Sequence, residues 1–165
     1  MAEQIDELVK QAVGSPEKFT IITPIPNHYI WQKTVYFPAH FNSQEQYKQV
    51  IQILKQTLPI AVSQIYFDVK FNQEENNNRI KSTIYALRKS YAEPFLSKEN
   101  IILDNELFCY LRGALLLNNS EIKTENIKQI QDIDIDKLSF PENTPDKKLY
   151  LIALGASLWN GKVSI

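Results

Sequence analysis

Ser63-Gln64-Ile65-Tyr66-Phe67-Asp68-Val69-Lys70-Phe71 alternates apolar and polar side chains over its last seven residues. Side chains along a strand point to opposite faces in turn. Ile65, Phe67, Val69 and Phe71 therefore share one face, and Tyr66, Asp68 and Lys70 the other. A second β-rich run, Arg79 to Leu87, follows the polar loop Gln73-Glu74-Glu75-Asn76-Asn77-Asn78, and the two runs read as a hairpin. Just upstream, Tyr47, Val50, Ile51, Leu54 and Leu58 recur at helical spacing. Ser43 and Gln46 have the capping-box pattern at the start of that helix, and Pro59 ends it. An amphipathic helix needs an apolar surface to cover, and the Ile65 face supplies one.

Outward from this centre the signals are shorter. Ile5, Leu8, Val9 and Ala12 predict an amphipathic helix over 2–13, stopped by Gly14-Ser15-Pro16. Lys18 to Ile25, bounded by Pro24 and Pro26, reads as a strand. Tyr29 to Phe37 reads as another, ended by Pro38, with Tyr29, Trp31 and Val35 on one face and Ile30, Gln32 and Thr34 on the other. Beyond the hairpin, a short helical stretch near Lys89 to Leu96 leads to a strand fragment, Asn100 to Leu103. Asp104 is placed to cap a helix reaching about Leu117, with Leu107, Leu111, Ala114 and Leu115 inward. Residues 118–146 are polar and broken, with a short helix expected around Thr124 to Gln131. Thr144-Pro145 should open a last helix, apolar nearly all round from Leu149 to Trp159 and therefore buried, with Gly161 at its C-cap.

Composition narrows the function classes. A chain of 165 residues, 44% hydrophobic and 22% charged, has the profile of a globular protein with a core. A net charge of −1 supplies no global field for nucleic acid or anionic membrane. Lys and Arg are scattered; the alternation of Arg79 and Lys81 along a strand reads as a solvated sheet face. Cys109 is the lone cysteine, so no intrachain disulfide is possible and a reducing compartment is expected. No run approaches the ~18 apolar residues of a membrane-spanning helix, and the first twenty residues are too acidic for a signal peptide. The four glycines, Gly14, Gly113, Gly155 and Gly161, are dispersed. Neither a P-loop nor a dinucleotide fingerprint can be built without clustered glycines.

Side chains that could carry chemistry read mostly as structural. His28 and His40 lack the spacing of a zinc site, so no metal and no cofactor is expected. Cys109, between Phe108 and Tyr110, reads as an inert packed thiol. Asp68, Asp104, Glu106 and Asp132 form no pair fixed by spacing, and no catalytic residue is assigned. Asp132, Asp134 and Asp136 lack the Gly and the terminal Glu of a calcium loop. Aromatic residues make up 11% of the chain. Phe67 and Phe71 read as core, whereas Tyr29, Trp31 and Tyr36 are candidate partner-binding residues, because rigid amphipathic rings anchor peptide interfaces.

Four segments in order resemble the PilM/ComA family of actin-like type IV pilus and competence proteins. Thr20 to Pro38 is similar to a pair of strands ending in an apolar-Pro step. Leu58-Pro59-Ile60 followed by Ile65-Tyr66-Phe67-Asp68 resembles the opening of the family's small inserted subdomain. Ile102-Leu103-Asp104-Asn105-Glu106-Leu107-Phe108-Cys109-Tyr110-Leu111-Arg112 resembles the strand and helix that return to the main subdomain. Leu151-Ile152-Ala153-Leu154-Gly155-Ala156-Ser157-Leu158 looks like the closing helix, where a Gly permits tight packing.

The resemblance implies an α+β fold. A partial actin-like (ribonuclease H-like) subdomain over 1–37 and 98–165 would carry a small inserted βαββ-type subdomain over 38–97. The family's opening phosphate hairpin and its second lobe have no counterpart here, because only residues 118–146 stand where that lobe would be. The implied protein is a half-clamp without the family's ATP site. It would be a non-catalytic cytoplasmic scaffold of a type IV pilus or DNA-uptake machine, held at the inner face of the inner membrane by a partner. It would dock that partner's short N-terminal cytoplasmic peptide where the two subdomains meet. Self-association into a homo-oligomer is open, whereas direct nucleic-acid binding and membrane insertion are not expected. Two other readings stand beside this one: a residual ATP-binding or ATP-hydrolysing actin-like protein, and an interaction module unrelated to pili.

Overall fold

The structure, a computed structural model, describes Gln11 and residues 20–73, 78–96, 100–118 and 134–159. Its class is mixed α+β, with two small sheets. The chain divides into two compact units, one of Met1–Asn27 with Pro94–Ile165, the other of His28–Glu93.

The second unit is built around strands β2 (Trp31–Pro38), β3 (Ile65–Gln73) and β4 (Arg79–Arg88), with helix α1 (Ser43–Thr57) between β2 and β3 and a short helix α2 (Lys89–Ala92) after β4. The sheet order is β2-β4-β3 and both pairings are antiparallel, so β2 and β3 run parallel with the returning β4 between them. The chain order is βαββ. Residues directly opposite in an antiparallel pair share a face. Trp31 opposes Ala86, which opposes Phe67, and Ile84 opposes Val69. This face meets α1, whose Val50 and Leu54 are fully buried among Phe37, Ile65, Ile84 and Ala86. Burying a side chain of that size contributes about 1.5–3 kcal/mol, and the alternation of Ile65, Phe67 and Val69 directs it here. Phe71 stays largely exposed at the far end of its strand, contrary to its reading as core.

Two differences from the sequence reading have physical causes. The ladder with β4 ties Trp31–Pro38 to the second unit, whereas the sequence-based division ends the first segment at residue 37. A strand's allegiance is set by a partner some fifty positions away, which short-range alternation does not reveal. The capping box sits one residue earlier than expected. Asn42 Oδ1 accepts from the backbone N–H of Gln44 and Glu45 at 3.0 Å, and Glu45 Oε2 accepts from Asn42 N–H at 2.8 Å.

In the first unit, β1 (Ile21–Ile25) and β5 (Ile101–Asn105) pair in parallel from Ile21 with Ile101 to Ile25 with Asn105. Helices α3 (Glu106–Leu117) and α4 (Lys147–Ser157) pack on each other. Asn105, not Asp104, caps α3, accepting from Leu107 N–H at 2.8 Å. Asp104 is instead drawn into a buried ion pair with Arg112, whose Nε donates to the Gly155 carbonyl at 2.9 Å. Asp146, not Thr144, caps α4 through Leu149 N–H at 2.9 Å. That helix buries one face, with Leu151, Ile152, Gly155 and Ala156, and leaves Leu149 exposed rather than being enclosed all round. Leu107 is also exposed, while Leu111, Ala114 and Leu115 are buried as read. The helices expected over 2–13 (apart from Gln11, which is helical) and 124–131, with Gly161, lie outside the described residues.

Candidate functional site

An apolar pocket of about 530 Å³ lies within the second unit. Register creates it: β2 starts at Trp31, β3 starts at Ile65 and β4 ends at Arg88, so these strand ends come together beside the chain that leaves α1. Pro59 ends the helix and turns Leu58 and Ile60 toward the same space. Trp31, Ile65 and Ala86 complete the apolar lining. One wall is aromatic, with Tyr29 stacked on Tyr91 at 3.9 Å between ring centroids and 20° between planes. His28 lies against Tyr29 at 4.3 Å. Burial, followed by the neighbouring Tyr29 phenol, raises the pKa of Tyr91.

The lining contains no carboxylate, and its one guanidinium, Arg88, has no ion-pair partner among the described residues. A pocket of this size and character accepts a bulky apolar side chain and offers a cation at its rim. Its lining holds neither thiol nor carboxylate; the polar groups beside Arg88 are the His28 imidazole and the phenols of Tyr29 and Tyr91.

Of the three partner-binding candidates, the structure brings Tyr29 and Trp31 together and sets Tyr36 apart. Tyr29 is 46% exposed in the 3-10 turn Asn27–Tyr29, not in the strand where the sequence placed it. Trp31 lines the pocket and also packs on the core under α1. Tyr36, opposite Lys81, lies on the other face of the sheet and is 52% exposed. The reason is strand parity, because residue 36 is five positions from residue 31. Leu58, Ile60, Arg88 and Tyr91 also line the pocket, though the sequence reading did not name them as site residues. Pro59 signalled a turn near two of them, but nothing local announced that Arg88 and Tyr91 would meet Trp31.

The remaining candidates have structural roles. The Cys109 thiol is fully buried, donates to Asp104 Oδ2 at 3.5 Å and lies 3.4 Å from Arg112 Nη2. Burial, reinforced by the Asp104 charge, pushes its pKa up to about 12. A thiol so protonated is a poor nucleophile. Asp68 Oδ1 accepts its neighbour's N–H from Val69, and Glu106 pairs with Lys148 at 3.4 Å. Asp134 caps the turn Ile135–Lys137. The Asp136 carboxyl is held below its usual range by its hydrogen bond to Lys147 at 2.8 Å. Asp132 lies outside the described residues, and among those described no group of three or more His, Cys, Asp or Glu could hold a metal ion. Nor is any described helix long and apolar enough to cross a membrane. A scan of the chain against models of protein families finds no match, and a search of the curated proteins finds none.

Proposed function

We propose that the protein is a non-catalytic scaffold that docks a short peptide in the apolar pocket of its second unit. The observation carrying this reading is that two of the three aromatic residues singled out from sequence, Tyr29 and Trp31, line one apolar pocket edged by Arg88, which has no ion-pair partner among the described residues. Docking would combine an apolar anchor in the pocket with backbone pairing along β2. Among the described residues that strand is an outer one, with β4 on one side only, so a row of its backbone groups faces away from the sheet. The resemblance to the PilM/ComA family supplies the identity of the peptide: the N-terminal cytoplasmic tail of an inner-membrane partner in a type IV pilus or competence machine. The protein would then act at the inner face of that membrane through its partner.

A thermal-shift titration with synthetic tail peptides from candidate membrane partners, run beside Mg-ATP, tests the proposal. A ligand that binds only the folded state raises Tm by mass action. The peptide is expected to stabilise the wild type, and Tyr29→Ala to weaken that effect about tenfold or more, an exposed aromatic anchor contributing roughly 2 kcal/mol. Tyr29 suits the test better than Trp31, whose removal would also open the core. Stabilisation by Mg-ATP and by no peptide would overturn the scaffold reading in favour of a residual nucleotide-binding protein.

A further inference from the structure

The face of the β2-β4-β3 sheet turned away from α1 gathers charges that are scattered in the sequence. Arg79 and Lys81 lie two residues apart on β4, and Lys70 on β3 opposes Thr83, the next β4 residue on the same face. None of these three cations has an ion-pair partner among the described residues, and none is buried. The described carboxylate on this face, Asp68, stands further along and accepts a hydrogen bond from Val69 N–H. Arg79, Lys81 and Lys70 thus form a cluster with no ion-paired counter-charge among the described residues, and an anionic ligand would supply one. The chain as a whole carries −1, so this excess is local.

Aromatic rings are interleaved with the cations. Tyr36 directly opposes Lys81, Tyr85 opposes Asp68, and Tyr66 opposes Leu87. Tyr66 and Tyr85 are thus diagonal neighbours, at roughly 7–8 Å, with Lys70 and Lys81 between them and Tyr36. Tyr36 and Tyr66 are 52% and 42% exposed, and Lys89 Nζ lies 5.2 Å from the Tyr66 ring centroid.

We propose that this face binds single-stranded nucleic acid. Arg79, Lys81 and Lys70 follow the phosphates, Tyr85 and Tyr66 offer their rings to bases as diagonal neighbours, and Tyr36, two same-face pairs further along, offers its ring to another base of the strand. Phosphate contacts supply affinity, and every base has a π-face to stack. An acidic protein surface would satisfy the cations but leave the rings without a specific role, and a duplex keeps its bases stacked on one another. Tyr36, which does not join the pocket, acquires a role here. The surface lies on the opposite side of the sheet from that pocket and does not depend on peptide docking.

Fluorescence anisotropy of a labelled fifteen-nucleotide deoxythymidine strand with the full chain tests the inference. Three phosphate contacts predict that raising salt from 50 to 200 mM weakens binding about twentyfold. Tyr36→Ala, at an exposed position, should weaken it roughly fivefold or more, and the double charge reversal Lys70→Glu with Lys81→Glu should abolish it. Tyr29→Ala, in the pocket, should leave it unchanged. The proposal fails if the strand does not bind at 50 mM salt. It also fails if a duplex of the same length binds equally well, or if Tyr36→Ala is silent while polyglutamate competes as well as unlabelled strand, which would mark an acidic-protein surface.

Discussion

Cys109, Asp104 and Arg112 show how a few residues with reactive side chains become a structural clasp. Arg112 joins β5 through Asp104 and α4 through the Gly155 carbonyl, so one buried guanidinium spans three elements. Breaking such a buried pair by removing one partner typically costs about 3–5 kcal/mol, because the other charge is left stranded. Cys109, packed against both, carries a pH signature. Its thiol ionises near 9.0 in the ordinary case and near 12 in the fold. Below pH 9 both folded and unfolded chains keep the proton, and the contribution to stability is intact. Between pH 9 and about 12 the unfolded chain releases it while the folded chain does not, so this contribution is lost as pH rises. The urea midpoint of the wild type should therefore fall more steeply from pH 8 to 10.5 than that of Cys109→Ala; parallel slopes would refute the burial argument. Native Cys109 should also resist alkylation at pH 8.

Between elements, two glycines permit a close approach. A Cβ on Gly155 would lie 1.6 Å from the Cys109 carbonyl oxygen, and one on Gly113 would lie 2.1 Å from that of Leu151. Helices α3 and α4 thus meet backbone to backbone, and the obstruction in each case is a carbonyl that cannot rotate aside. Gly155→Ala must push the helices apart and stretch the Arg112 hydrogen bond. It should lower stability by at least about 1–3 kcal/mol, the usual range for overpacking, read as a drop in urea midpoint with helix content retained. Close packing at Gly155 was implied by the resemblance of Leu151–Leu158 to a closing helix, and α3 and α4 do approach closely there. Strand faces were legible because the alternation of Ile65, Phe67 and Val69 is a local pattern. Caps were missed by one or two positions at three helices, because Ser43, Asp104 and Thr144 each neighbour another residue able to cap, and the last extended backbone residue decides between them. Long-range meetings were not legible at all. The pocket needs Trp31 beside Ala86, and the cationic face needs Lys70 beside Thr83, and both depend on register.

At the scale of the whole molecule, the core clusters formed by the described residues each lie within one unit. Phe37, Val50, Leu54, Ile65, Ile84 and Ala86 form one in His28–Glu93. Cys109, Ile152 and Ala156, with Ala114, Leu138 and Leu151, belong to the other. The chain passes between units only at Asn27 to His28 and at Glu93 to Pro94. Cooperative opening follows contiguous packing, so each unit should have its own opening free energy in native-state hydrogen exchange. Gly155→Ala separates the alternatives. It should speed exchange at buried amides of α3 and α4, such as Leu111 and Leu151, while Ile84 and Ala86 in β4 keep wild-type protection. Equal loss of protection in β4 would mean that the chain opens as a single unit and that the two cores share their stability. The functional consequence is direct, because the pocket beside Tyr29 and the cationic tyrosine face both belong to His28–Glu93. If the units open separately, Gly155→Ala should retain peptide and oligonucleotide binding below the temperature at which the second unit melts. If they do not, both activities should fall together with the first unit.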